Sequence, residues 1–128
     1  MILIIEKENV QSQGGIYTVY TPSGIDISRF KKISVDHVYI EFSSPVGKCI
    51  IDVSTLLIDK SAGNPKQIIA SSFMEKSSKF FWFTSASSET YKIQCQSLEE
   101  SLFHIHVSDE TQKEKKIKKI RLVLKFDE

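Results

Sequence analysis

Apolar residues in this chain recur at every second position far more often than at the three-to-four spacing of a helix face, and that alternation marks strands with one buried side. In ISVDHVYIEF, Ile33 and Val35 set one phase, and Val38, Ile40 and Phe42 take up the other. A phase change of one residue within a strand predicts a bulge at Asp36-His37, because a plain slip would turn the apolar side chains outward. CIIDVSTLLI, from Cys49 to Ile58, is dense in β-branched residues and reads as a strand buried on both sides or nearly so. Further strands are predicted at Ile2–Ile5, Ile16–Tyr20, Lys66–Ala70, Phe80–Thr84, Thr90–Cys95, Leu102–Ser108 and Ile120–Phe126.

Turn signals separate these runs: Gln13-Gly14-Gly15, Pro22-Ser23-Gly24, Ser44-Pro45-Val46-Gly47 and Ala62-Gly63-Asn64-Pro65. Helix is scarce. Ser97-Leu98-Glu99-Glu100 has the spacing of a capping box and predicts a single turn, and Asp26–Phe30 predicts another. The last two strands are joined by a long, lysine-rich loop, which suits a Greek-key or jelly-roll crossing better than an up-and-down barrel. The expected fold is all-β: an antiparallel two-sheet sandwich of about eight strands, jelly-roll-like, in a single domain over residues 1–128.

Composition agrees with a globular chain, at 41% hydrophobic and 26% charged over 128 residues. With 17 Lys+Arg against 16 Asp+Glu, the formal charge of +1 supplies no overall field for nucleic acid or an acidic membrane, so any charge argument is local. The apolar start MILII stops at Glu6 with no basic residue before it, so no signal peptide is expected. No run approaches the roughly 18 apolar residues of a membrane span. Cys49 and Cys95 show no metal-ligand spacing and read as two reduced core thiols, although facing strands could pair them. The expected location is a virion or the cell interior.

Candidate chemistry is sparse. In SLFHIHVSD, Phe103, Ile105 and Val107 form the core face, so His104 and His106 point to the outer face of a sheet or to a subunit contact. Two imidazoles at this spacing can chelate Zn²⁺ or Cu²⁺, but a metal site needs about three or four ligands. They are weak metal candidates, and no metal or other cofactor is expected. Titrating at about pH 6–7, they could instead tune a contact. No nucleophile elbow and no phosphate loop is present, so neither an enzyme nor a small-molecule substrate is expected.

Lys113, Lys115, Lys116, Lys118, Lys119 and Arg121 form a basic run that could touch a polyanion, but no aromatics interleave with it as they do in single-strand binders. Nucleic acid is therefore not the expected partner, and edge-strand lysines that discourage aggregation account for the run. Phe80-Phe81-Trp82-Phe83 is the densest aromatic run. A simple alternating strand would bury two of the four and leave two outside. The run is therefore either a strand covered on both faces by a loop or an interface strand carrying Phe80, Phe81, Trp82 and Phe83, with sugar stacking on Trp82 or Phe81 as a third reading.

The second half resembles the jelly-roll capsid proteins of virophages, Polintons (Mavericks) and adintoviruses. The likeness lies in IIDVSTLLIDKSAGNPKQIIASSF (Ile50–Phe73), the aromatic strand, ETYKIQCQSLEESLFHIHVSDETQ (Glu89–Gln112) and the terminal IRLVLKF (Ile120–Phe126). Such a relation implies a compact single jelly roll acting as a penton or minor capsid subunit, or a domesticated relative, in a chain short for a full capsid subunit. It implies no catalytic residues, and partners that are further copies of the chain or other structural subunits. An alternative reading of the residues is a non-enzymatic β-sandwich adaptor for a protein or glycan.

Overall fold

The alternating pattern folds into ten antiparallel strands and one 3-10 turn within the residues that the computed structural model describes: 1–12, 15–22, 24–56, 66–84, 89–90, 92–95, 102–108 and 115–127. The strands are β1 (Ile2–Val10), β2 (Ile16–Tyr20), β3 (Lys32–Val46), β4 (Cys49–Leu56), β5 (Lys66–Met74), β6 (Ser78–Thr84), β7 (Glu89–Thr90), β8 (Ile93–Gln94), β9 (Leu102–Ser108) and β10 (Ile117–Asp127). A front sheet runs β1-β10-β3-β6, with β8 also paired to β3, and a back sheet runs β2-β9-β4-β5-β7. Leaving aside the two-residue strands β7 and β8, the chain crosses between the sheets at every connection except β4 to β5. This is the strand order of a jelly roll, two antiparallel sheets packed face to face.

The core lies between the sheets. Ile33, Val38, Ile40, Phe42, Ile120, Leu122 and Leu124 come from the front; Tyr17, Val19, Ile51, Val53, Phe103 and Ile105 come from the back. Two local devices keep these side chains pointing inward. In the β10–β3 ladder Val123 pairs with His37 and Leu124 with Val35, which leaves Asp36 as the bulged residue and carries the phase change read from the sequence. At the end of β1, Asn9 takes φ 51°, a left-handed conformation that Asn tolerates better than most residues. After that twist Val10 faces the core, where a regular strand would have placed Asn9.

Several elements depart from their sequence expectations. β1 continues well past Ile5, because its polar half still pairs with β10 through Glu6, Lys7 and Glu8. The turn expected at Ser44–Gly47 starts later: β3 runs to Val46, and the β3–β6 ladder is irregular between Glu41 and Val46, where Pro45 has no N–H to give. β4 is not buried on both sides at its start, since Ile50 is 45% exposed. Farther along, a bulge between Val53 and Ser54 leaves Val53, Ser54 and Thr55 all buried, and Thr55 Oγ1 donates to the Leu102 carbonyl at 3.1 Å. The segment read as one strand from Thr90 to Cys95 is two short pieces, β7 on the back sheet and β8 on the front. The capping-box turn at Ser97–Glu100 and the turn at Ala62–Pro65 lie outside the described residues.

The sheets are also joined by a single buried phenol. Tyr17 on β2 is wholly buried, and its hydroxyl donates to the Lys115 carbonyl while accepting the Lys115 N–H at 3.2 Å. Back-sheet β2 thereby holds the chain just before it enters β10 of the front sheet. Replacing Tyr17 by Phe keeps the ring and strands both groups of Lys115, so urea unfolding should show a loss of about 1–3 kcal/mol. A variant as stable as the parent would mean that water takes over both bonds.

Candidate contact surfaces

On the outer face of the front sheet the alternating positions carry charge in register. Glu6 on β1, Arg121 on β10, Tyr39 on β3 and Trp82 on β6 form one row across the four strands. Arg121 Nε donates to Glu6 Oε1 at 2.6 Å, and Lys119 Nζ lies 3.9 Å from Glu6 Oε2. The Arg121 guanidinium also lies over the Tyr39 ring at 5.9 Å, and that ring stacks with Phe80 at 6.5 Å between centroids. The bonded Arg121, with the charges of Lys119 and Arg121, holds the Glu6 carboxyl below its ordinary range. Asp127 is likewise held low by Lys92 Nζ, 2.8 Å from its Oδ2.

These pairs are exposed and each contributes little to stability. Their effect is to make the face wet and locally neutral, and it disperses the basic run. Lys119 and Arg121 engage Glu6, Lys118 is exposed on β10, and Lys115 and Lys116 line a groove at its start, while Lys113 lies outside the described residues. The groove encloses about 430 Å³ between Asn9, Gln11, Ser12, Ser43, Lys115 and Lys116.

The aromatic run divides as alternation requires. Phe81 and Phe83 point into the core and pack on each other at 5.6 Å, so they cannot serve as contact residues. Phe80 and Trp82 stand outward at 52% and 62% exposure on β6, which is an edge strand of the front sheet among the described residues. The burial of two rings is what fixes the other two outside.

His104 and His106 lie on the opposite side of the molecule, half-buried on the outer face of the back sheet. His104 pairs across to Thr18 and Ser54, with its Nδ1 3.0 Å from Thr18 Oγ1. His106 pairs to Ile16 and Asp52, and Asp52 pairs in turn to Ser71, whose hydroxyl donates to Asp52 Oδ1 at 2.6 Å. Here the carboxylate sits between the serine and the histidine, so the imidazole is not placed to take the serine proton, the step a nucleophilic triad requires. Gly15, at φ 81°, borders the His106 ring. His37 is remote from this pair, on β3 of the front sheet, bonded through Nδ1 to Asp36 Oδ2 at 3.0 Å. Among the described residues no three His, Cys, Asp or Glu side chains are placed to share a metal ion.

Beside the histidines, Ile50 and Phe73 pair across β4 and β5 and are both outward, Phe73 at 51% exposure. Sequence reasoning misses this pair: the β-branched run from Cys49 reads as a strand buried on both sides or nearly so, and the strand predicted at Lys66–Ala70 stops short of Phe73. Their alternation with Cys49, Ile51 and Met74, all buried, was the available signal.

Cys49 and Cys95 are both buried, with no disulfide between them. Burial, reinforced by the charge of Asp127, raises the Cys95 thiol above its ordinary range. No helix among the described residues is long and apolar enough to cross a membrane. No protein-family model matches the sequence, and the search of curated proteins gives no match.

Two outcomes follow from this chemistry. Cys95 should resist a thiol reagent such as Ellman's at mildly alkaline pH in the folded protein and react at once in denaturant; rapid reaction of the native thiol would contradict its buried, protonated state. The folded-state pKa of Glu6 is lowered, so its contribution to stability is complete above the ordinary glutamate range and disappears as pH falls through the lowered value. The stability difference between the parent and Glu6→Gln should therefore be greatest at neutral pH and vanish in acid, as read by urea unfolding across pH. A difference that persists in acid would assign the effect to something other than the carboxylate charge.

Proposed function

We propose that this chain is a non-enzymatic structural protein that associates with copies of itself or with other structural subunits, as a viral-type penton or minor capsid subunit or a domesticated relative of one. The observation that carries the reading is the outward pair Phe80 and Trp82 on the edge strand of a jelly roll. Large aromatics are enriched in the buried centres of protein contacts, and an open strand edge offers unpaired N–H and C=O groups to a neighbour. The resemblance to the capsid jelly rolls of virophages, Polintons and adintoviruses points the same way. In such a protein the sandwich is the rigid body and closed symmetry sets the size of the assembly. The virion or the cell interior is the location that suits it.

A second reading, a monomeric β-sandwich adaptor for a protein or glycan, draws on the groove at the start of β10, whose volume of about 430 Å³ falls within the range of ligand clefts.

Trp82 is the sole tryptophan of the chain, so its emission reports on this surface alone. As protein concentration rises, self-association through β6 should shift the emission to the blue and shield it from iodide, and Phe80→Ser should suppress both changes. Emission and quenching that stay those of an exposed indole at every concentration would overturn the role given to this strand.

A further inference from the structure

The two outer faces differ sharply in charge. The front face carries Glu6, Glu8, Lys119, Arg121, Glu41 and Lys125 at outward or paired positions, whereas β2, β4, β9 and the stretch of β5 from Gln67 to Met74 contain no Lys or Arg and a single acid, Asp52. In a chain with 17 Lys+Arg and 16 Asp+Glu, a sheet face this poor in charge has the composition of the centre of a protein contact rather than of a solvated surface. Four strands at about 4.8 Å spacing and seven residues at about 3.4 Å rise give a flat footprint of about 460 Å² before side-chain relief is counted. That approaches the lower end of the roughly 600–1,000 Å² per partner of standard-size specific interfaces.

The few polar groups on this face complement each other about a two-fold axis. His106 on β9 and Asp52 on β4 are neighbours in register. An axis running along the strands between β9 and β4 exchanges the two strands, so His106 of each copy lies over Asp52 of the other. The same operation sets Ile16 over Ser71. Sheets that pack face to face keep their strands within about 30° of alignment, so this arrangement is an ordinary one for two sheets. Ser71 already holds Asp52 Oδ1 at 2.6 Å, which fixes the carboxylate and leaves its second oxygen to an incoming imidazolium.

We propose that the outer face of the back sheet docks onto the same face of a second copy of this chain, with reciprocal His106–Asp52 pairs at its centre. The proposal rests on the self-associating reading above and adds to it a second contact on the opposite side of the sandwich. Two contacts on opposite faces let a subunit belong to a dimer and to a larger assembly at once.

Acid should strengthen the contact. A protonated imidazole set against a carboxylate adds a charge attraction that a neutral one lacks. Among the described residues, the other titratable groups at outward positions on this sheet are His104 on the same strand and Tyr20 at the far end of β2, and Glu89 pairs in register with Ser71. β5 brings no charge beside His106 or Asp52; its residue opposite Asp52 is Ser71.

The test uses the full chain carrying Phe80→Ser and Trp82→Ser, which removes the β6 contact, and reads mass by sedimentation velocity and native mass spectrometry. This protein should dimerise more strongly at about pH 5.5 than at about pH 7.5. His106→Glu alone sets carboxylate over carboxylate twice, and Asp52→Lys alone sets ammonium over imidazole twice. Each should weaken dimerisation by about tenfold or more. Mixed in equal amounts they should form a heterodimer, because the new carboxylate at position 106 then faces the new ammonium at position 52 while the other pair stays native. Recovery on mixing also shows that both variants are folded, and the milder His106→Gln and Asp52→Asn should abolish only the pH response.

If the unsubstituted chain assembles but these variants neither weaken dimerisation nor complement each other, this contact is wrong and self-assembly stands. If the unsubstituted chain assembles and the doubly substituted background is monomeric at both pH values, the back face is likewise excluded. A monomeric unsubstituted chain at both pH values overturns both readings together.

Discussion

Everything in this sandwich depends on β10 lying between β1 and β3. The last described strand pairs with the first along almost its whole length, from Ile2 with Lys125 to Val10 with Ile117, and with β3 on its other side. No local hairpin builds this ladder; the two ends of the chain must meet before the front sheet has a centre. Closing so long a loop costs chain entropy that only the finished ladder and core offset, which makes folding of this topology slow relative to helical proteins of similar size. The Tyr17 hydroxyl, bonded to both backbone groups of Lys115, fixes the point at which the chain turns into β10 and ties that entry to the back sheet.

With the core closed, the two outer faces are left with different chemistry. The front face pairs Glu6 with Arg121 and Lys119, so its charges satisfy one another and water covers them, and its apolar content gathers at the β6 edge as Phe80 and Trp82. The back face has almost no charge to hold water. It offers half-buried imidazoles, hydroxyls and the outward pair Ile50 and Phe73. A solvated monomer has no evident use for a whole sheet face so poor in charge, whereas a subunit does.

Much of the fold was legible from alternation alone. β2 and β9 were read to the residue, the bulge at Asp36 followed from the phase change, and the split of Phe80–Phe83 into two inward and two outward rings followed from period two. The misreadings share a cause: pattern reports what a residue is, not what pairs with it. The polar half of β1 is a strand because β10 is there to bond it. Pro45 stays in β3 because the ladder with β6 is already irregular at that point. Thr90–Cys95 alternates like one strand but pairs with two different sheets. The contact residues were legible as types, yet which ones share a face was not, since Trp82 and His106 lie on opposite sides of the sandwich, and the alignment of Asp52 with His106 exists only through the β4–β9 register.

The central claim is that this jelly roll is a subunit, and the mass of the unmodified chain in solution tests it most directly. Light scattering over a wide range of protein concentration should give a discrete multiple of the 14.6 kDa chain that grows to a limit and stops, as closed symmetry requires. A mass of one chain at every concentration would contradict the account and leave the sandwich as a monomeric binding module.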